Sequence, residues 1–191
     1  MIILSAVFWG WRKENGVNGE GVKTKYAIGD YLMHENSGVC QVTDISEMAL
    51  TGKGSEQLYY SLTPVFQKGS KIFTPVEAKV RIRDVKSEEE MKELLDEAKD
   101  IEIIEEENNK VRAEIFKEMI DTFDPHVLAK VVKTVYVRKQ RRIAAGKKVM
   151  SSDERVMQVA GKKLFEEMAF AMQKERSEVE AAFFGCIEGA K

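Results

Sequence analysis

Eleven lysines and arginines fall between Lys130 and Lys163, opposed only by Asp153 and Glu154. That density of cations could neutralise the phosphates of an anionic polymer, although a solvated helix face has the same composition. At about 100° per residue, Lys130 and Arg141 lie about 20° apart around a helix, and Lys133 falls within about 60° of Lys130. Val127, Val131 and Val135 form a stripe facing elsewhere, so the three cations are expected on one outer face. Arg138, Arg142, Lys147 and Lys148 extend the charge beyond it. Such a stripe binds phosphates in a salt-sensitive, sequence-tolerant way. Only Tyr136 is interleaved with it, which argues against a platform for stacking single-stranded bases.

No catalytic pattern accompanies the charge. Gly52-Lys53 and Gly146-Lys147 resemble the end of a phosphate-binding loop, but that loop needs a glycine five positions earlier. Glu47 and Arg141 stand there, and neither lysine is followed by Ser or Thr. His34 and His126 are the two histidines and lie in different halves, so no histidine-based metal site or triad is expected. Glu105-Glu106-Glu107 could hold a hard cation, but a solvated acidic helix end is the commoner reason for such a run. The expectation is a binding protein, not an enzyme, with no catalytic residue, metal or cofactor.

The elements that must position these residues divide the chain in two. From Tyr31 to Val85, short runs with β-branched residues alternate with turn chemistry. Thr51-Gly52-Lys53-Gly54-Ser55 reads as a hairpin connection and Gln67-Lys68-Gly69-Ser70 as a second turn. Leu58 to Pro64 and Lys71 to Val76 read as strands, and Pro75, lacking an N–H, should end its strand or sit at an edge. Short strands and turns in about sixty residues point to a small Tudor- or SH3-like β-barrel. After Ser87 the periodicity becomes helical. Ser87 with Glu90, Ser151 with Glu154 and Ser177 with Glu180 have capping-box spacing, and Asp124-Pro125 is a further helix start. The fold class expected is therefore α+β, with the barrel followed by an all-α domain of about five helices.

At 191 residues and 43% hydrophobic content the chain can bury a core. Cys40 and Cys186 suggest neither disulfide framework nor metal site, which fits a reducing cytoplasm. Met1 to Trp11 is apolar, too short to span a bilayer and without the basic start of a signal peptide. Residues 1–25 are read as a leader, either a mis-assigned translation start with the true one nearer Val22 or an amphipathic arm.

The stretch 26–86 has a more specific pattern. It opens with Tyr26-Ala27-Ile28-Gly29-Asp30 and passes through Gly38-Val39 and Leu58-Tyr59-Tyr60-Ser61-Leu62. It closes with Ile72-Phe73-Thr74-Pro75-Val76 and Arg81-Ile82-Arg83-Asp84-Val85. In this order and spacing it resembles the RNA-polymerase-interacting domain shared by CarD/CdnL transcription regulators and the transcription-repair coupling factor. Within residues 87–191, Leu128-Ala129-Lys130-Val131-Val132 and Met150 to Met157 resemble helical segments of CarD proteins. The resemblance implies a 26–86 domain that grips the β subunit of bacterial RNA polymerase and a helical domain on promoter DNA beside the transcription bubble. It also implies a monomer in the cytoplasm, associated with the nucleoid, with no membrane contact.

Two departures bear on the sites. A tryptophan that wedges into the minor groove in studied members aligns with Asn109, while Trp9 and Trp11 fall in the leader. Asn cannot fill an opened base step as a ring does, so weaker stabilisation of the open complex is implied. Arginines on the polymerase-facing strands of some members align with Met48 and Phe73, leaving a more apolar contact with Lys71 as its charge. Arg112 and Arg155 match basic positions of the helical domain, and an insertion lies near Ile143 to Val149. The residues expected at polymerase are Met48, Lys71 and Phe73. Those expected at DNA are Asn109, Arg112, Lys130, Lys133, Arg138, Arg141 and Arg155. An adaptor that binds polymerase or another partner without DNA is the competing class.

Overall fold

The computed structural model describes residues 16–17, 23–49, 54, 56–67, 69–77 and 80–189. Its strands are β1 (Gly16–Val17), β2 (Lys23–Thr24), β3 (Tyr31–His34), β4 (Gly38–Met48), β5 (Gln57–Pro64), β6 (Ile72–Pro75) and β7 (Ile82–Asp84). Its helices are α1 (Glu88–Glu97), α2 (Asn109–Asp121), α3 (Pro125–Ala144), α4 (Ser151–Ala171) and α5 (Arg176–Glu188). Within the expected leader, β1 and β2 pair antiparallel; the apolar start with Trp9 and Trp11 lies outside the described residues. Of the expected hairpin turn 51–55, only Gly54 is described.

The remaining strands form one antiparallel sheet in the order β6-β5-β4-β3-β7. β6 and β7 are its two margins, and no ladder joins them among the described residues. The expected barrel is thus corrected to an open sheet: β7, only three residues long, commits its pairing to β3. Pro75 ends β6, which is an edge strand, as its missing N–H requires. β4 carries a bulge between Val42 and Asp44. Because of that extra residue, Val42 and Ile45, three positions apart, reach the same buried face. There they join Tyr26, Leu32, Cys40, Tyr60 and Leu62 in the sheet's own core.

The helices pack around a second core, with Leu128, Val131, Val132 and Val135 of α3 against Ala160, Leu164, Phe165 and Met168 of α4. Two starts follow local chemistry. Ser87 Oγ accepts from Glu90 N (3.2 Å) while Glu90 Oε2 accepts from Ser87 N (2.8 Å), closing the capping box of α1. Asp124 Oδ1 accepts from His126 N (2.9 Å) and Val127 N (3.1 Å), with Pro125 in the first turn of α3. The boxes expected at Ser151 and Ser177 do not form. Met150 and Glu175 take the cap positions of α4 and α5, with no side-chain cap bond, and both serines already lie inside the helices.

Sheet and helices meet through the other face of β3 and β4, where Met33 and Val39 pack with Val85, Phe123 and Phe170. A polar clamp crosses this contact. Arg83 of β7 donates from Nη1 (2.5 Å) and Nη2 (2.7 Å) to the two carboxylate oxygens of Glu167 on α4. Glu167 is 0% exposed, and its Oε1 also accepts from Lys86 N (3.1 Å). Arg83 Nε donates to Phe123 O (3.0 Å), and the guanidinium lies 4.6 Å from the Phe123 ring centroid. Phe123 follows α2 at φ 61, the left-handed position usually given to glycine. Its ring in the interface and its carbonyl on Arg83 offset that strain.

Beside the clamp, Glu166 of α4 is buried against the β3–β4 turn. Gly38 there has φ +72, a conformation that strains any other residue, and a Cβ on it would come within 2.7 Å of Glu166 Oε2 and push that carboxylate aside. Burial raises the Glu166 carboxyl above its ordinary value, against a smaller opposing pull from Lys162 and Arg176. Burial likewise pushes the neighbouring Cys40 thiol up to about 12, so it stays protonated and unreactive.

Two outcomes follow for stability. Arg83→Ala strands the Glu167 carboxylate and is expected to cost about 3–5 kcal/mol in urea unfolding. The double variant Arg83→Met/Glu167→Leu should recover much of it; a single-variant cost under about 1 kcal/mol would show that the clamp carries little. The folded chain also keeps the Glu166 proton at pH values where the unfolded chain has lost it. That contribution is complete below the ordinary value of 4.5 and is lost as pH rises through the raised folded value. Glu166→Gln should therefore raise Tm relative to wild type at pH 7–8 and narrow that gain toward pH 4; a difference in Tm independent of pH would contradict this.

Candidate functional site

The first candidate surface is the free end of the sheet. Residues paired directly across strands project to one side, so Asp44, Ser61 and Phe73 share a face, as do Ser46, Tyr59 and Pro75. Alternation along β4 puts Met48 on that face as well. It is opposite Ile45 and Tyr60, which belong to the sheet core. Phe73 is 42% exposed on the edge strand. Lys71 Nζ stands 5.4 Å from its ring centroid, a cation held over an accessible aromatic. The three residues expected at polymerase are thus brought to one face, with Phe73 and Lys71 in contact and Met48 at the end of β4. Beyond β6 no strand pairs among the described residues, so its outer edge is open to another chain.

The second candidate surface is the end of the helical domain formed by the C-terminus of α3, residues 145–150 and the start of α4. Arg155 is exposed on α4, as are Lys139 and Arg141 on α3 and Lys147 and Lys148 in the connection between them. Arg142 Nε donates to Lys148 O (2.9 Å), tying the connection back to α3. Lys130 is half-buried further along α3, with no ion-pair partner among the described residues.

Three expected members of the basic face are placed otherwise. Lys133 is only 8% exposed, and its Nζ donates to Lys99 O (2.6 Å). The shared outer face with Lys130 and Arg141 is corrected for this residue: burial lowers the ammonium's pKa and turns the charge to an internal carbonyl. Arg112 is 2% exposed and donates to Glu106 O (2.8 Å) and Asn109 Oδ1 (2.6 Å), so it braces the chain entering α2. Arg138 Nε lies 3.6 Å from Asp153 Oδ2, and Asp153 is buried. Asn109 is exposed at the first position of α2, its amide oxygen engaged by Arg112. Sequence reasoning took Glu105-Glu106-Glu107 for a solvated helix end and missed that residues 104–105 bond to α3. Both carboxylate oxygens of Glu105 accept from Arg141 Nη1, at 2.9 and 3.0 Å. The Ile-Glu-Ile-Ile-Glu run at 101–105, mixing apolar and acidic residues, was the available signal.

His34 is buried and held neutral by burial, its Nδ1 accepting from Asn36 N (3.3 Å). Among the described residues no group of three or more His, Cys, Asp or Glu is arranged to hold a metal. No helix among them is long and apolar enough to cross a membrane.

With an edge strand, an aromatic-cation pair and the tight Gly38 turn in place, the comparison with known families becomes specific. Residues 26–86 match the CarD-like/TRCF RID domain. The chain carries a CarD-like domain. The match covers residues 26–86 alone and supports a transcription-related role with a partner of the RNA-polymerase type. No curated protein matches the sequence significantly. Residues 87–189 lie beyond the matched range, and their surface is read from geometry.

Removing the Lys133 ammonium, as in Lys133→Met, should cost about 1.5–3 kcal/mol because Lys99 O loses a charged donor. Lys130→Met should stay within about 0.5 kcal/mol. Equal costs in chemical denaturation would place Lys133 back on the surface.

Proposed function

We propose that this protein regulates transcription by binding the RNA polymerase β subunit through β6 and its face, and promoter DNA through the α3–α4 end. The observation that carries the reading is the open edge of β6 inside the family-matched segment, with Phe73 exposed and Lys71 over it. Main-chain groups along such an edge can pair with a strand of a partner, and side chains on the face supply selectivity. Met48, Lys71 and Phe73 make that face more apolar than an arginine-bearing one. At the helical end, Lys139, Arg142, Lys147, Lys148 and Arg155 supply a compact set of cations for phosphates, with Lys130 flanking and Arg141 available when it leaves Glu105. The proposed effect is on the lifetime of the open complex. Asn109, polar and already bonded to Arg112, makes that effect weaker than an aromatic wedge would.

The adaptor reading has one specific observation in its favour. Burial of Lys133 and Arg112 and the pairing of Arg138 and Arg141 remove four of the expected cations from a freely presented face.

Full-length variants separate the two surfaces. Phe73→Asp should lower affinity for purified β subunit at least tenfold, an unpaired charge being desolvated on contact, with DNA binding intact. Lys148→Glu/Arg155→Glu should do the reverse, and each lost phosphate contact should flatten the salt slope by about 0.9. Undiminished β-subunit binding by the Phe73→Asp variant contradicts the assigned edge. Undiminished DNA binding by the second variant, or none by wild type, leaves the adaptor.

A further inference from the structure

Between α1 and α2, residues 101–108 form neither helix nor strand. From Asp96 to Glu107 it carries seven acidic side chains, Asp96, Glu97, Asp100, Glu102, Glu105, Glu106 and Glu107, against the single basic Lys99. The backbone of this segment is anchored. Ile101 and Ile104 pack against the helical core. Ile104 N donates to Thr134 Oγ1 (3.1 Å), Lys133 Nζ donates to Lys99 O (2.6 Å), and Arg112 Nη1 donates to Glu106 O (2.8 Å). Three groups of α2 and α3 thus fix where the acids stand. The outermost contact is different in kind. The Arg141 and Glu105 side chains meet at 2.9 Å while remaining 58% and 63% exposed, so water and ions reach the pair easily. An exposed ion pair of this sort is worth little and exchanges readily.

We propose that this anchored acidic strap restrains nucleic-acid binding by the helical domain, with Glu105 occupying Arg141 in place of a phosphate. The inference rests on the proposed DNA contact of the α3–α4 end and adds its regulation. A carboxylate held beside a guanidinium competes with a phosphate for the same donors. The remaining strap acids lower the potential felt by a polyanion approaching α3. Because the backbone is fixed and the side chain is exposed, Glu105 can leave Arg141 and swing aside without unfolding the segment. DNA must displace it, so Arg141 contributes to binding only after giving up its internal partner. The strap thereby sets a threshold: weak, non-specific contact is suppressed, while a complex that also holds polymerase supplies enough local DNA to exchange the pair.

The test uses the full chain and a promoter-length duplex titrated at two salt concentrations. Glu105→Gln is expected to bind roughly threefold to tenfold tighter than wild type, and to steepen the salt slope by up to about 0.9, because no displaced carboxylate is left to take up a cation against those that DNA releases. In an Arg141→Gln background the same change should have no effect, because the occupied guanidinium is gone. Glu89→Gln on α1, an equal change in net charge away from the strap, serves as the control, and thermal melts verify that every variant is folded. Three results would overturn the proposal: unchanged affinity for Glu105→Gln, a gain matched by Glu89→Gln, or a gain that persists without Arg141. If wild type and Glu105→Gln both fail to bind DNA at low salt, the DNA reading falls together with the strap. If wild type binds and Glu105→Gln binds no tighter, the strap alone falls.

Discussion

The bond between half-buried Arg83 and fully buried Glu167 is the constraint on which the rest of this molecule depends. One partner is on the last strand of the sheet and the other near the C-terminal end of α4, 84 residues apart in sequence. Two charges taken out of water stabilise a fold only when geometry is good and spare hydrogen-bonding capacity is used. Here the carboxylate is met by two guanidinium nitrogens and by Lys86 N, and the guanidinium also finds Phe123 O and Asp84 O. Those requirements fix where β7, the turn after α2 and α4 stand together. A sheet merely tethered to a helical bundle would place none of these groups so narrowly.

Function follows from that fixation. The face of β6 with Phe73 and the end of α3 with Arg142 belong to units joined by that clamp and a shared apolar contact. Two partners held at the two surfaces would be held at a set separation and angle. Gly38 and Glu166 add to the same junction, since the turn brings Gly38 against the Glu166 carboxylate, where a Cβ would displace it. The acidic segment before α2 has a parallel role on a smaller scale. It spends three side chains of α2 and α3 on positioning itself, then offers Glu105 to a fourth.

What the sequence disclosed was local. Ser87 with Glu90, and Asp124 before Pro125, were legible because capping is decided within a few residues. Ser151 and Ser177 show the same tetrapeptide pattern, but the chain turns extended one or two residues earlier, at Met150 and Glu175, and the pattern cannot say so. Strand identity was legible from turn residues and alternation; whether β6 and β7 meet depends on pairing across the whole sheet. At the site, Phe73 and Lys71 are neighbours in sequence and in space. Lys133 was misplaced because helical angle gives a direction and not a neighbour: the carbonyl of Lys99 lies on that side. Arg112 was drawn inward for a similar reason, by the chain entering α2.

The central claim is that the outer edge of β6 is where polymerase binds while the helical end stays free for DNA. Hydrogen–deuterium exchange on the full chain, with and without purified β subunit, reads it directly. The account predicts slowed exchange in the peptide spanning Ile72, Phe73 and Thr74, with residues 139–155 unchanged. Unaltered exchange along β6, or protection confined to the helices, would contradict it.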